Sequence, residues 1–216
     1  AKVRKLIDDH VISLGINQKI PPVQLTDAQF DTHVGRINGN RAKASEMEHA
    51  IRSHIRKHLE TDPVRFKKMS ERLKQILDGL GQQWDQIVKQ LQALIDELCS
   101  DSQPIGSAAP DIPEVYLPFL RTVLEACSTG QETDTRQLQV IHQMTVDVVD
   151  RVVEEVCTNR SIWSSFKLAD QESLRSEVFE IIFDTRLEGF DVADAERLAD
   201  QLMQQAKAND DKLRRA

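Results

Sequence analysis

Aromatic side chains are scarce in this sequence, which has seven Phe, two Trp and one Tyr, 5% in all. Its interior therefore has to be built mainly from Leu, Ile, Val and Ala. The cationic stretches described below also lack the aromatic interleaving of a single-strand nucleic-acid platform. Cysteine is equally sparse. Cys99, Cys127 and Cys157 are far apart, odd in number and without Cys-x-x-Cys spacing. That pattern fits a reducing cytosol better than a disulfide framework or a zinc site. No apolar run approaches membrane-spanning length, and Ala1-Lys2-Val3-Arg4 does not open a signal peptide. The expectation is a cytoplasmic chain with no membrane contact. Its start on Ala1 without Met fits a segment excised from a longer protein.

Catalytic signatures are missing as well. The chain has no Gly-x-x-x-x-Gly-Lys-Ser/Thr phosphate loop, no Gly-x-Gly-x-x-Gly and no Gly-x-Ser-x-Gly. Pro110-Asp111 matches the opening of a PD-(D/E)xK nuclease motif, but no Glu-x-Lys or Asp-x-Lys follows at a useful distance. No Cys–His pair is singled out by its spacing. The chain itself is expected to be no enzyme and to hold no cofactor.

What is present points to a globular, helical protein. Hydrophobic residues make up 40% and charged residues 29% of 216 positions, enough for one large or two small domains. The net charge of −7 is unevenly distributed. Arg41 to Lys74 holds ten Lys/Arg against five Asp/Glu, while the rest holds 18 against 30. Such a basic island in an acidic chain suits a local anion-binding face, or an attraction between the two halves.

Apolar residues recur almost everywhere at intervals of three to four, the helical period. The spacing predicts an all-α bundle of about seven to nine helices with no significant sheet. Val3 to Leu14 reads as a helix stopped by Gly15, and Pro21-Pro22 forces extended chain. A short helix follows over Ala28 to Val34, capped by Thr26 or Asp27. A long one from Arg41 to Leu59 buries Ala44, Met47, Ile51, Ile55 and Leu59. Asp62 and Pro63 suit the N-cap and first position of the next, with Phe66, Met69, Leu73, Ile76 and Leu77 inward.

Trp84, Leu91 and Leu98, with Val88 and Ile95, repeat every seven residues and predict a narrow seam against the preceding helix. Ser100 to Pro113 reads as a linker or long loop. Four further helices are expected beyond it. The first spans Glu114 to Cys127, with Pro118 as a kink or as its true start. The second spans Thr133 to Cys157, with Leu138, Ile141, Thr145, Val148, Val152 and Val156 inward. The third runs from its cap Asp170 to Leu187, burying Leu174, Val178, Ile181 and Ile182. The fourth runs from Asp191 to Asn209 on Ala195, Leu198, Leu202 and Ala206. The implied organisation is a connecting segment at 1–38, a basic helical subdomain at 39–100, a linker at 101–113 and an acidic helical subdomain at 114–216.

Two groups of residues carry candidate chemistry. His54 and His58 are four apart on the face of Met47 and Ile51, half of a metal site by spacing. Glu46-Met47-Glu48-His49 holds the Glu-x-x-His of di-metal bundles, but no second copy exists and His49 points away from His54. Packed, hydrogen-bonded histidines are the better reading, and no metal site is expected. Trp84 and Trp163 read as core anchors. The second group is cationic. Arg41, Ser45, His49, Arg52 and Arg56 lie along the opposite face of that helix, with Lys43 nearby. Arg65, Lys68 and Arg72 line a flank of the next helix. Arginine stripes of this kind contact phosphates or dock on acidic protein.

Three stretches resemble the C-terminal region of the R subunit of type I restriction–modification enzymes. Val3-Arg4-Lys5-Leu6-Ile7-Asp8-Asp9-His10-Val11, with Gly15-Ile16 and Ile20-Pro21-Pro22, is similar to the stretch after that family's motor domains. The strongest block is Arg41-Ala42-Lys43-Ala44-Ser45-Glu46-Met47-Glu48-His49-Ala50-Ile51-Arg52-Ser53-His54-Ile55. Leu198-Ala199-Asp200-Gln201-Leu202-Met203, with Ala206-Lys207, resembles the closing helix. Ser100 to Gln137 carries no recognisable block. The resemblance implies a helical assembly element linking the motor subunit to the methyltransferase and specificity subunits. It assigns ATP, Mg and DNA cleavage to nuclease and motor domains that precede this region. Two function classes follow: a protein-interaction domain, and an auxiliary module guiding duplex DNA to the motor through the basic island.

Overall fold

The computed structural model describes residues 25, 29–79, 81, 83–99, 112–127, 134–187 and 189–215. The expected Val3–Leu14 helix, the Pro21-Pro22 segment and most of the Ser100–Pro113 loop lie outside the described residues. Within them the chain is all-α, with nine helices and no strand. We label them α1 (Phe30–Arg36), α2 (Asn40–His58), α3 (Pro63–Gly79), α4 (Trp84–Cys99), α5 (Leu117–Cys127), α6 (Thr135–Thr158), α7 (Leu168–Asp184), α8 (Val192–Ala208) and α9 (Asp210–Leu213).

Local chemistry sets the boundaries. Gly39 precedes α2 at φ 88°, a left-handed conformation that suits glycine. Arg56, Lys57 and His58 in the last turn of α2 face the negative end of its dipole. Asp62 caps α3 as its sequence predicts, its Oδ1 accepting from Arg65 N at 3.1 Å, with Pro63 at the first position. Pro118 stands at the second position of α5, after a 3-10 turn at Glu114–Tyr116, so it marks the start of the helix rather than a kink. Asp191 and Asp194 close a reciprocal capping box on α8, at 2.8 and 3.2 Å.

Three local expectations are corrected. α2 ends at His58, which leaves Leu59 outside the apolar stripe and 37% exposed. Asp170 is not the cap of α7. The helix starts at Leu168, and Asp170 lies in its first turn, accepting from Lys167 Nζ at 2.9 Å and Asn159 Nδ2 at 3.0 Å. α4 does more than seat a narrow seam on the helix before it. Ile87 and Leu94 are buried along with Leu91, Ile95 and Leu98, and the helix packs most extensively on α2. A helix wedged between two neighbours needs an apolar face wider than a heptad stripe.

The buried apolar side chains form two clusters. One joins α1 to α4 around Met47, Ile51, Ile87, Leu91 and Leu94, with α2, α3 and α4 in mutual contact. The other joins α5 to α9 around Phe119, Ile141, Met144, Leu174, Ile182 and Leu198. There α5, α6, α7 and α8 close a ring, each touching the next and α8 returning to α5. The valines Val148, Val149, Val152 and Val156 of α6 are all buried, so burial of that face overrides their preference for strands.

α3 packs on α5 and holds the clusters together. Polar contacts reinforce this junction. Arg121 pairs with Asp62, their side chains only 11% and 6% exposed. The Thr61 carbonyl accepts from Asn209 Nδ2 at 2.9 Å and from Gln205 Nε2 at 3.2 Å.

Candidate functional site

The regular turn of α2 sorts its polar residues onto two faces. With Met47, Ala50, Ile51 and Ile55 packed inward, the 100° step per residue leaves Arg41, Ser45, His49, Arg52 and Arg56 in solvent. At 1.5 Å rise per residue this stripe runs for roughly 22 Å. Lys43 is half-buried at its edge. Only part of the stripe is engaged within the molecule. Arg52 bonds Glu48 one turn back at 2.9 Å, an exposed pair that adds little stability. The Arg41 guanidinium lies 5.7 Å from the Trp84 ring centroid, and Trp84 is itself half-buried against the core. Lys43, His49 and Arg56 have no ion-pair partner among the described residues.

The flank of α3 differs from the sequence reading. Lys68 and Arg72 are exposed, but Arg65 is buried, only 8% exposed. Its guanidinium donates to the carbonyls of Glu97 and Leu98, both at 3.2 Å. Those carbonyls end α4, where a cation complements the helix dipole. Arg72, two turns on, pairs with the Glu97 carboxylate. Arg65 therefore leaves the docking set, because it fastens α4 to α3. Nothing in the sequence ties Arg65 to a helix terminus more than thirty residues away.

His54 and His58 face the junction of the two clusters. Their ring centroids are 4.5 Å apart, and each lies 5.8 Å from the Phe66 ring. Burial and the positive charges of Arg65 and Lys57 lower both; His54 falls from 6.5 to about 4. Both rings are therefore neutral at pH 7. Among the described residues no group of three His, Cys, Asp or Glu side chains is placed to hold a metal.

The two rings form one wall of a cleft of about 510 Å³ between α2–α3 and the C-terminal corner. Phe66, Leu98, Val115, Leu117 and Pro118 give it apolar lining, and Arg65, Arg121, Lys212 and Arg215 bring positive charge. Asp62 and Glu114 are the opposing carboxylates. Sequence reasoning missed this cleft, because its walls come from segments far apart in the chain. The signal that was available is the density of polar residues around Thr61-Asp62, read only as a helix start.

Cys127, Tyr116 and Trp163 are held within the structure. Burial pushes the Cys127 thiol up to about 11. Tyr116 donates to Asp150 at 2.6 Å and is pushed up to about 12, by burial and that bond. The Trp163 indole N–H donates to Asp210 at 3.0 Å. Among the described residues no helix is long and apolar enough to cross a membrane.

Comparison with protein-family models, curated proteins and solved structures finds no match to this chain.

Proposed function

We propose that this chain is a non-catalytic assembly domain of a type I restriction–modification motor subunit, docking that subunit on its methyltransferase core. The observation carrying this reading is the exposed stripe on α2, where Lys43, His49 and Arg56 lack ion-pair partners among the described residues. All of the stripe but Arg56 lies within Arg41–Ile55, the block that resembles the family most closely. Coupling the two points to recognition by charge, with specificity and association rate gained from an acidic partner surface.

On this reading ATP and Mg serve the nuclease and motor domains, the specificity subunit and duplex DNA are met through the assembled complex, and the whole works in the cytoplasm. A second reading uses the same stripe to guide duplex DNA. The exposed Arg52 and Arg56 favour it, since guanidinium groups suit phosphate contacts. Against it stands the net charge of −7, which repels a duplex from all but a narrow approach.

Capture of the full chain by purified methyltransferase core, with and without DNA, separates the two. Docking on protein predicts DNA-independent capture that is weakened by combined Arg52→Glu and Arg56→Glu. DNA guiding predicts salt-sensitive duplex binding by the chain alone, with a log–log salt slope that shrinks by about one per contact removed.

A further inference from the structure

The cleft at the junction has a chemistry of its own. Its volume of about 510 Å³ is that of a small-molecule site and far too small for a protein or a duplex. Of its charged side chains, Arg121 and Asp62 neutralise each other and Arg65 serves the end of α4. Lys212 and Arg215, both exposed, have no acidic partner among the described residues. Glu114 is the remaining carboxylate of the lining, also exposed, so positive charge prevails. In the same lining, His58 is stacked on Phe66 at an interplanar angle of 26°, with His54 tilted against both, and Lys212 is near enough to lower His58. The cleft thus offers both an attraction for an anion and ring surface beside it.

We propose that this cleft binds a small phosphate or sulfate monoester, with its oxyanion on Lys212 and Arg215 and its organic part against His54, His58 and Phe66. The concave shape concentrates the field of the exposed cations on a bound anion. Neutral imidazoles donate one N–H each, and protonated ones two, so both forms serve an anion.

Binding is also linked to protons. The groups facing the imidazoles are Lys57 from α2, Asp62 and Arg65 from the start of α3, Cys99 from α4, Glu114 and Arg121 from the next elements, and Lys212 and Arg215 from the C-terminus. Burial is the main reason the rings sit below their ordinary range, followed for His54 by His58, Arg65 and Lys57, and for His58 by Lys57, Lys212 and Arg65. A bound anion offsets those cations, raises the imidazoles and takes up a proton. Affinity then rises as pH falls below 6.5, by about three- to tenfold between pH 7.5 and 5.5.

The test is calorimetric titration of the full chain with phenyl phosphate, inorganic phosphate and phenol, at pH 7.5. Phenyl phosphate is expected to bind more tightly than inorganic phosphate, and phenol not measurably. Phenyl sulfate, whose charge is constant over this range, reports the pH dependence without titrating itself. Combined Lys212→Glu and Arg215→Glu, exposed sites whose reversal leaves the helical circular dichroism intact, is expected to lower phenyl phosphate affinity at least tenfold. Replacing both rings, His54→Gln with His58→Gln, is expected to weaken binding at pH 7.5 and to abolish the tightening with phenyl sulfate at pH 5.5. Absence of phenyl phosphate binding overturns the proposal. So does binding unchanged by the double reversal, phenol binding as tightly as phenyl phosphate, or pH tightening that survives replacement of both His54 and His58.

Discussion

The two helical clusters differ in how far their cations are paired. In the C-terminal cluster, Arg151 is held by Glu154, Glu155 and Glu177, and Arg175 by Asp200 and Glu172. Arg197 pairs with Asp194, and Arg214 with Asp210. On α2, by contrast, Lys43, Arg56 and Lys57 find no acidic partner among the described residues. Surface charge alone is a weak sign of function, because most of it is solvated or internally paired. α2 sets those three cations beside a single arginine–carboxylate pair of its own, Arg52 with Glu48. The C-terminal cluster also keeps cations without an acidic partner among the described residues: Arg136, Arg160, Arg186 and Lys207, besides Lys212 and Arg215 at the cleft.

Breaking the junction gives the largest effect on that comparison. Arg121→Ala leaves Asp62 buried without its cation and is expected to cost about 3–5 kcal/mol. Urea unfolding followed by circular dichroism should then show two transitions, as the clusters come apart; a single unshifted transition would show that the pair is not structural.

Core truncation should be slightly smaller and local. Leu91→Ala and Leu198→Ala each remove a fully buried side chain from a different cluster and should each cost about 2–5 kcal/mol. Because the two sites share no partners, the double variant should equal their sum within about 0.5 kcal/mol. A larger discrepancy would mean that the two clusters act as one core.

Acid should act on the N-terminal side of the junction. The folded pKa of His54 is about 4, against an ordinary 6.5, so the unfolded chain takes up the proton first. Stability is therefore fully present above pH 6.5 and declines as pH falls toward 4, with His58 shifted in the same direction. His54→Gln should flatten this slope in denaturation midpoints measured from pH 7.5 to 4.5; an unchanged slope would place the acid sensitivity elsewhere. The smallest effect is expected on the stripe itself. Arg52→Ala should change stability by less than about 1 kcal/mol, since its pair with Glu48 is solvent-exposed.

Much of the fold is legible in the sequence because long helices repeat their apolar residues over many turns. Met47, Ile51 and Ile55 locate the buried face of α2, and its opposite face follows by geometry. The Asp62 cap, with its strong side-chain chemistry, is legible too. Asp170 misled, because a carboxylate in the first turn of a helix has the same dipole preference as one at the cap. Arg65 misled for a different reason. Periodicity places it on a flank, but only tertiary packing shows that the flank meets the end of α4. The junction was the least legible feature, since Asp62–Arg121 and Thr61–Asn209 join segments whose spacing carries no signal.

The stripe on α2 bears the central claim, and capture by the methyltransferase core tests it most directly. Wild-type chain should be retained by the purified core whether or not DNA is present. The Arg52→Glu, Arg56→Glu variant should fold normally, lose most of that retention, and show no duplex affinity before or after the change. Failure of the wild-type chain to be retained would contradict the account. So would tight, salt-sensitive duplex binding by the isolated chain that the same two reversals abolish.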